Sequence, residues 1–134
     1  MWAMVLEKDL LQVIGQQKER LLDISAGQAR EVEINTKSRS SHALIITGIR
    51  RCGKSTLMHQ MIQQTEKDKS LYVNFESPLL YNFSMNDFTR LDNIANNMEA
   101  KWLFFDEIQM IEKWELYVRQ KLDEGFKVVV TGSN

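Results

Sequence analysis

The stretch Gly48-Ile49-Arg50-Arg51-Cys52-Gly53-Lys54-Ser55-Thr56 has the residue types and the spacing, G-x-x-x-x-G-K-[ST], that let a backbone close around an anion. Gly48 and Gly53 allow conformations closed to residues with a Cβ, so successive N–H groups can turn inward around a phosphate. Lys54 is then placed to reach the β- and γ-phosphates of a nucleoside triphosphate, and the Ser55 hydroxyl to ligate Mg2+. The flanks agree with this chemistry. An apolar run, Ala43 to Thr47, reads as a strand, and Leu57-Met58-His59-Gln60-Met61-Ile62 reads as a helix. The free N–H groups and positive dipole end of that helix point at the same anion. The plain alternative is a glycine-rich turn that happens to carry Lys-Ser, and the strand–loop–helix context argues against it.

A second acidic feature follows downstream. Trp102-Leu103-Phe104-Phe105 is a short apolar run ending in Asp106-Glu107. A carboxylate at the tip of a buried strand beside a phosphate loop can hold Mg2+, directly or through its waters, and Asp106 is the residue placed to do so. Glu107, pointing elsewhere, is placed to polarise an attacking water as a general base. The same pair could simply end a strand in water. Asn134 follows another apolar run through Thr131-Gly132-Ser133, where a polar side chain can orient the water and sense the γ-phosphate, or merely sit in a turn. Arg50 and Arg51 either add positive charge near the phosphates or point to solvent. Cys52, close to Lys54, reads as ordinary packing, with a lowered thiol pKa as the alternative. His42 and His59 have no partner at metal-ligand spacing and read as surface or helix residues. Trp102, Trp114 and the Phe104-Phe105 pair read as core.

The elements that must position these residues can be taken in order. Leu6 to about Ile24 is amphipathic, with Leu6, Leu10, Val13, Ile14, Leu21 and Leu22 at helical spacing and a possible break at Gly15. Glu31-Val32-Glu33-Ile34 alternates and could be an extra edge strand; Asn35 to His42 is a polar loop. After the phosphate loop and its helix comes a strand, Leu71 to Phe75, ended by Pro78. Ser84-Met85-Asn86-Asp87 has capping-box spacing ahead of a helical face made of Phe88, Leu91, Ile94 and Met98. Trp102 to Phe105 is a strand, Glu112 to Glu124 a helix, and Phe126 to Thr131 the last strand. Strands and helices alternating in this way mean an α/β fold: a mainly parallel sheet with helices on both faces, ligands sitting at the carboxyl ends of the strands. Residues 1–42 then form a leading helix and linker, and 43–134 a phosphate-binding core.

At 134 residues and 43% apolar content, one domain with a real core is affordable, and a net charge of −1 gives no electrostatic reason to propose a nucleic acid or an anionic membrane as partner. A single cysteine makes no internal disulfide, so a reducing, cytoplasmic setting is the expectation. No run of eighteen or so uncharged apolar residues is present to span a bilayer. The start, Met1-Trp2-Ala3-Met4-Val5-Leu6, meets Glu7 and Asp9 too early for a signal peptide.

Four segments in order carry a resemblance: Gly48 to Thr56, Tyr72-Val73-Asn74-Phe75-Glu76, Phe105-Asp106-Glu107-Ile108-Gln109, and Val130-Thr131-Gly132-Ser133-Asn134. From about Ala43 to the last residue the chain resembles a prokaryotic ATPase family of the AAA+ superfamily, with hallmarks G-x-R-R-x-G-K-[ST], N-F-E, D-E-I-Q and T-G-S-[NS]. The resemblance implies a three-layer P-loop fold and ATP rather than GTP. It implies a Walker A motif at Gly48 to Ser55, a Walker B aspartate at Asp106 and a catalytic set of Glu107, Lys54 and Asn134, the last in the sensor-1 position. Members of that family continue beyond T-G-S-N with a fifth core strand, an arginine at a subunit or domain boundary and a helical lid. The chain therefore resembles the amino-terminal portion of such an ATPase, with its first core strand left on a sheet edge. Its arginine would come from a second copy or a further segment, and turnover without one is expected to be slow. A nucleotide-dependent switch or scaffold without significant turnover is the competing reading. A GTPase is disfavoured, since Asp106-Glu107-Ile108-Gln109 is not D-x-x-G and no N-K-x-D occurs. For a small-molecule kinase, no acceptor pocket is legible.

Overall fold

Strand side chains alternate between two faces, and here both faces are apolar, which is what a sheet covered on both sides requires. The computed structural model describes residues 7–25, 43–48 and 54–133. In chain order these form α1 (Glu7–Ser25), β1 (Leu44–Gly48), α2 (Lys54–Gln63), β2 (Ser70–Asn74), α3 (Phe88–Asn97), β3 (Trp102–Asp106), α4 (Trp114–Asp123) and β4 (Lys127–Ser133). All strand pairs are parallel, in the order β1-β4-β3-β2. The α/β architecture expected from the alternation is the one observed.

Parity along the strands assigns the layers. Tyr72, Phe104 and Val129 face one way and pack with Met58, Met61 and Ile62 of α2. Leu71, Val73, Phe75, Leu103, Phe105, Val128 and Val130 face the other way and pack with α1, α3 and α4. Aromatic rings fill the second layer, where Phe88 stacks on Tyr117 with centroids 3.7 Å apart and Phe75 meets Phe83, Phe88 and Phe105.

The two sheet edges are handled differently. α1 touches β2, α2 and α3, so it lies along the β2 edge. Its Gln17 side-chain amide donates from Nε2 to the Asn74 carbonyl at 2.9 Å and accepts the Asn74 N–H on Oε1 at 2.9 Å. A glutamine amide carries the same donor and acceptor as a peptide group, so it completes the ladder as another strand would. β1 is the outer strand of the described sheet on the other side, the edge position the sequence reading expects for it, and Ile45 on it is 57% exposed.

Several local expectations are refined. Gly15 does not interrupt α1. Ser84 N–H donates to Asp87 Oδ2 at 2.9 Å, the reciprocal half of the expected capping box, and a 3-10 turn, Met85–Asp87, leads into α3. α4 begins at Trp114 rather than Glu112, because Lys113 ahead of it adopts a left-handed conformation with φ 62°. β4 runs past Thr131 to Ser133. Trp102 and Trp114 are half-buried rather than core, whereas Phe104 and Phe105 are fully enclosed. His59 is a helix residue but not a surface one: it is buried on α2, which packs against both the sheet and α1. Leu6, the alternating Glu31–Ile34 piece and the Asn35–His42 loop lie outside the described residues. Among those described, no helix is long and apolar enough to cross a membrane.

Candidate functional site

The carboxyl ends of the strands bring the singled-out residues toward one end of the sheet. Gly48 is the last residue of β1, in register with Ser133 of β4, and Lys54, Ser55 and Thr56 form the first turn of α2. Ile49, Arg50, Arg51, Cys52 and Gly53, between them, lie outside the described residues, as does Asn134. The segment joining β1 to α2 is thus bounded by a strand end and a helix start, which is the context the G-x-x-x-x-G-K-S spacing demands.

Asp106 is the last residue of β3, two positions beyond Phe104 and therefore on the α2 face. It is 1% exposed, so its carboxylate has been taken out of bulk water and must be met by polar groups. Neighbouring strands supply them. Tyr72 Oη of β2 donates to Oδ2 at 2.8 Å, and Thr131 Oγ1 of β4 donates to Oδ1 at 2.5 Å. Register explains why these residues meet it. Tyr72 pairs with Phe104 one step back on the same face, and Thr131 follows Val130, the partner of Phe105. All three side chains therefore project toward α2 at the tip of the sheet.

Glu107 leaves the strand by a different geometry. Its backbone is left-handed, with φ 55° and ψ 47°, a conformation costly for a residue with a Cβ and enriched at functional sites. The turn is held by its own N–H, which donates to Thr131 Oγ1 at 2.9 Å, so one hydroxyl serves both Asp106 and Glu107. The Glu107 side chain is 6% exposed, and its Oε2 accepts from Gln109 Nε2 at 3.1 Å. Gln109 in turn lies against β4: a Cβ on Gly132 would stand 3.3 Å from Gln109 Oε1.

Sequence reasoning singled out Asp106 and Glu107 but missed Tyr72, Thr131 and Gln109 as partners. A tyrosine between Leu71 and Val73 in a buried strand was the available signal, because a buried phenol hydroxyl requires an acceptor. Among the described residues no group of three or more His, Cys, Asp or Glu gathers as a protein cage for a metal. The donor set fits Mg2+ in another way: that ion takes hard oxygen ligands and is ordinarily bound by one or two carboxylates together with phosphates and water. Asp106 offers such a carboxylate, already oriented.

A family model described as an AAA domain matches residues 40–134. The uncharacterized protein MJ1544 of Methanocaldococcus jannaschii is 38% identical over 106 residues, which covers 78% of this chain and 24% of that protein. An uncharacterized protein of Haemophilus influenzae is 34% identical over 100 residues, covering 67% of this chain and 25% of its own length. The chain thus spans about a quarter of the length of the curated relatives it matches. No solved structure matches it.

Proposed function

The chain belongs to the AAA domain family, and from that premise we propose that it binds ATP with Mg2+ at the carboxyl end of its sheet and carries the residues for ATP hydrolysis. The observation that carries this reading is Asp106. It is a buried carboxylate at a strand tip, on the face of the helix that follows the glycine loop, with both oxygens held by hydroxyls. A strand merely ending in water would have no reason to enclose its acid in this way.

In the proposed mechanism the amides from Gly48 to Ser55 enclose the phosphates, the α2 N-terminus adds its dipole, and Lys54 meets the β- and γ-oxygens. Mg2+ would supply neutralisation of charge on the transferring group; Ser55 and Asp106 are the residues that would hold it. Glu107 accepts a proton from a water whose oxygen attacks the γ-phosphorus in line, with ADP leaving. Asn134 would orient that water. The matched stretch is about a quarter of each curated relative's length, so for the whole protein both the work driven by the cycle and the source of an arginine, from a second copy or another segment, are part of the proposal.

Calorimetric titration of Mg·ATP into the wild-type chain and into Lys54→Ala tests the binding. At least a tenfold loss is expected in the variant, and equal affinities would overturn the reading. Glu107→Gln is expected to keep affinity and lose turnover. The competing reading, a nucleotide-dependent switch without significant turnover, draws on one observation, the hold that Gln109 has on the Glu107 carboxylate within its own turn. A wild-type rate no higher than that of Glu107→Gln would favour it.

A further inference from the structure

We propose that Tyr72 is a positioning residue of the nucleotide site. Its hydroxyl, together with that of Thr131, sets the Asp106 carboxylate in the orientation from which it engages the divalent cation that accompanies the triphosphate. The inference rests on the ATP reading above and deepens it.

The Tyr72 ring is a core element, packed with Met58, Met61, Phe104 and Val129 beneath α2. A phenylalanine would bury the same ring, so the apolar layer does not explain the hydroxyl. What the hydroxyl adds is a 2.8 Å bond to Asp106 Oδ2, across from β2 to the tip of β3. Thr131 holds the other oxygen from β4. With one donor from each flanking strand, the carboxylate plane is prevented from turning about its Cβ–Cγ bond. A carboxylate oxygen can accept more than one bond, so a hydroxyl donor does not by itself keep it from a cation or its water shell. Groups that orient a metal-binding side chain in this manner commonly matter about 10- to 100-fold in metal affinity when removed. A hydroxyl that had merely found an acceptor would leave cation dependence untouched, and that difference is measurable.

The test is ATP affinity, by calorimetry, over a series of Mg2+ concentrations and in EDTA, for the wild-type chain, Tyr72→Phe and Lys54→Ala. For Tyr72→Phe the Mg2+ concentration giving half the gain in affinity is expected to rise about tenfold, with ATP affinity in EDTA unchanged within about twofold. An unchanged or lower half-effect concentration overturns the inference, as does an equal loss of affinity with and without Mg2+. If Tyr72→Phe does not fold, Thr131→Val decides: freeing the other oxygen must move the same constant in the same direction. A wild-type affinity that does not depend on Lys54 would instead sink the ATP reading and this inference with it.

Discussion

Two clusters of buried polar groups, one between helices and one at the strand tips, solve the same problem in different ways. Between α3 and α4, Lys121 is 4% exposed and its ammonium lies 2.7 Å from Asp92 Oδ1 and 3.1 Å from Glu124 Oε1, over the rings of Tyr117 and Phe126. Tyr117 Oη donates to the same Asp92 oxygen at 2.5 Å. Burial pushes the Tyr117 phenol well above the usual tyrosine range, and the hydrogen bond and charge of Asp92 push it further, so it stays a donor. There an acid is answered by a cation, and the result is a clamp between two helices. At the strand tips, Asp106 accepts from two hydroxyls, one from each neighbouring strand, and the next residue sits in a left-handed turn. The first arrangement ties two helices together; the second sets a buried carboxylate between two strands, beside a residue in a left-handed turn. The comparison can be broken at three places, in decreasing order of effect.

The helix clamp should show the largest loss of stability and no loss of binding. Asp92→Ala leaves the Lys121 ammonium in the core with only Glu124 of its two acids and removes the acceptor of Tyr117. Breaking a buried pair from one side costs about 3 kcal/mol. Lys121→Met should cost less, about 1 kcal/mol, because Asp92 is half-buried and can turn to water while a methionine fills the stem's space. Urea unfolding gives both numbers, and ATP affinity per folded molecule should stay at the wild-type value. An equal cost for the two variants would mean that the ammonium is not the buried partner at risk.

Thr131 should mix the two signatures. Thr131→Val keeps the shape but removes the donor to Asp106 and the acceptor of the Glu107 N–H, at a position with no solvent exposure. An orphaned buried N–H costs about 1–3 kcal/mol, so a loss of about 2 kcal/mol is expected, accompanied by weaker Mg2+ dependence of ATP binding. Thr131→Ser retains the hydroxyl and loses one methyl, for about 1 kcal/mol with the Mg2+ dependence preserved. Should serine fare as badly as valine in the cation assay, the hydroxyl is not what links the two acids.

These residues also show where the sequence was legible and where it was not. Period-two alternation and the Ser84–Asp87 spacing locate strands and caps because both depend on neighbours a few positions apart. Asp106 and Glu107 announce themselves as carboxylates ending an apolar strand. Tyr72 and Thr131 do not, since their meeting on Asp106 depends on the register of β2, β3 and β4, which are remote in the chain and fixed only by packing. His59 reads from the sequence as a surface or helix residue; it is on a helix, and its burial was not legible for a related reason. The periodicity of α2 describes its side against the sheet, whereas α1 packs on it as well and buries further positions. Gln109 was visible only as a letter in a motif, because Gly132, which it lies against, is on a strand remote in the chain.

Gly132 offers the mildest and most discriminating break. No unusual φ requires glycine there, so alanine is admissible on backbone grounds and gains about 0.4–1 kcal/mol by restricting the unfolded chain. Against this, the new Cβ would stand 3.3 Å from Gln109 Oε1, tighter than ordinary contact. The neighbour that must yield is the end of an exposed, flexible side chain, not backbone. Stability under Gly132→Ala should therefore stay within about 1 kcal/mol of wild type. What should move is the Gln109 amide, and with it the 3.1 Å bond to Glu107. In 1H–15N spectra the Gln109 side-chain resonances, assigned by their loss in Gln109→Ala, should shift in Gly132→Ala as they do in Glu107→Gln. A loss of several kcal/mol would mean that the strand tip is packed as tightly as the helix clamp, and the distinction between an aimed acid and a clamped one would fail at its most exposed point.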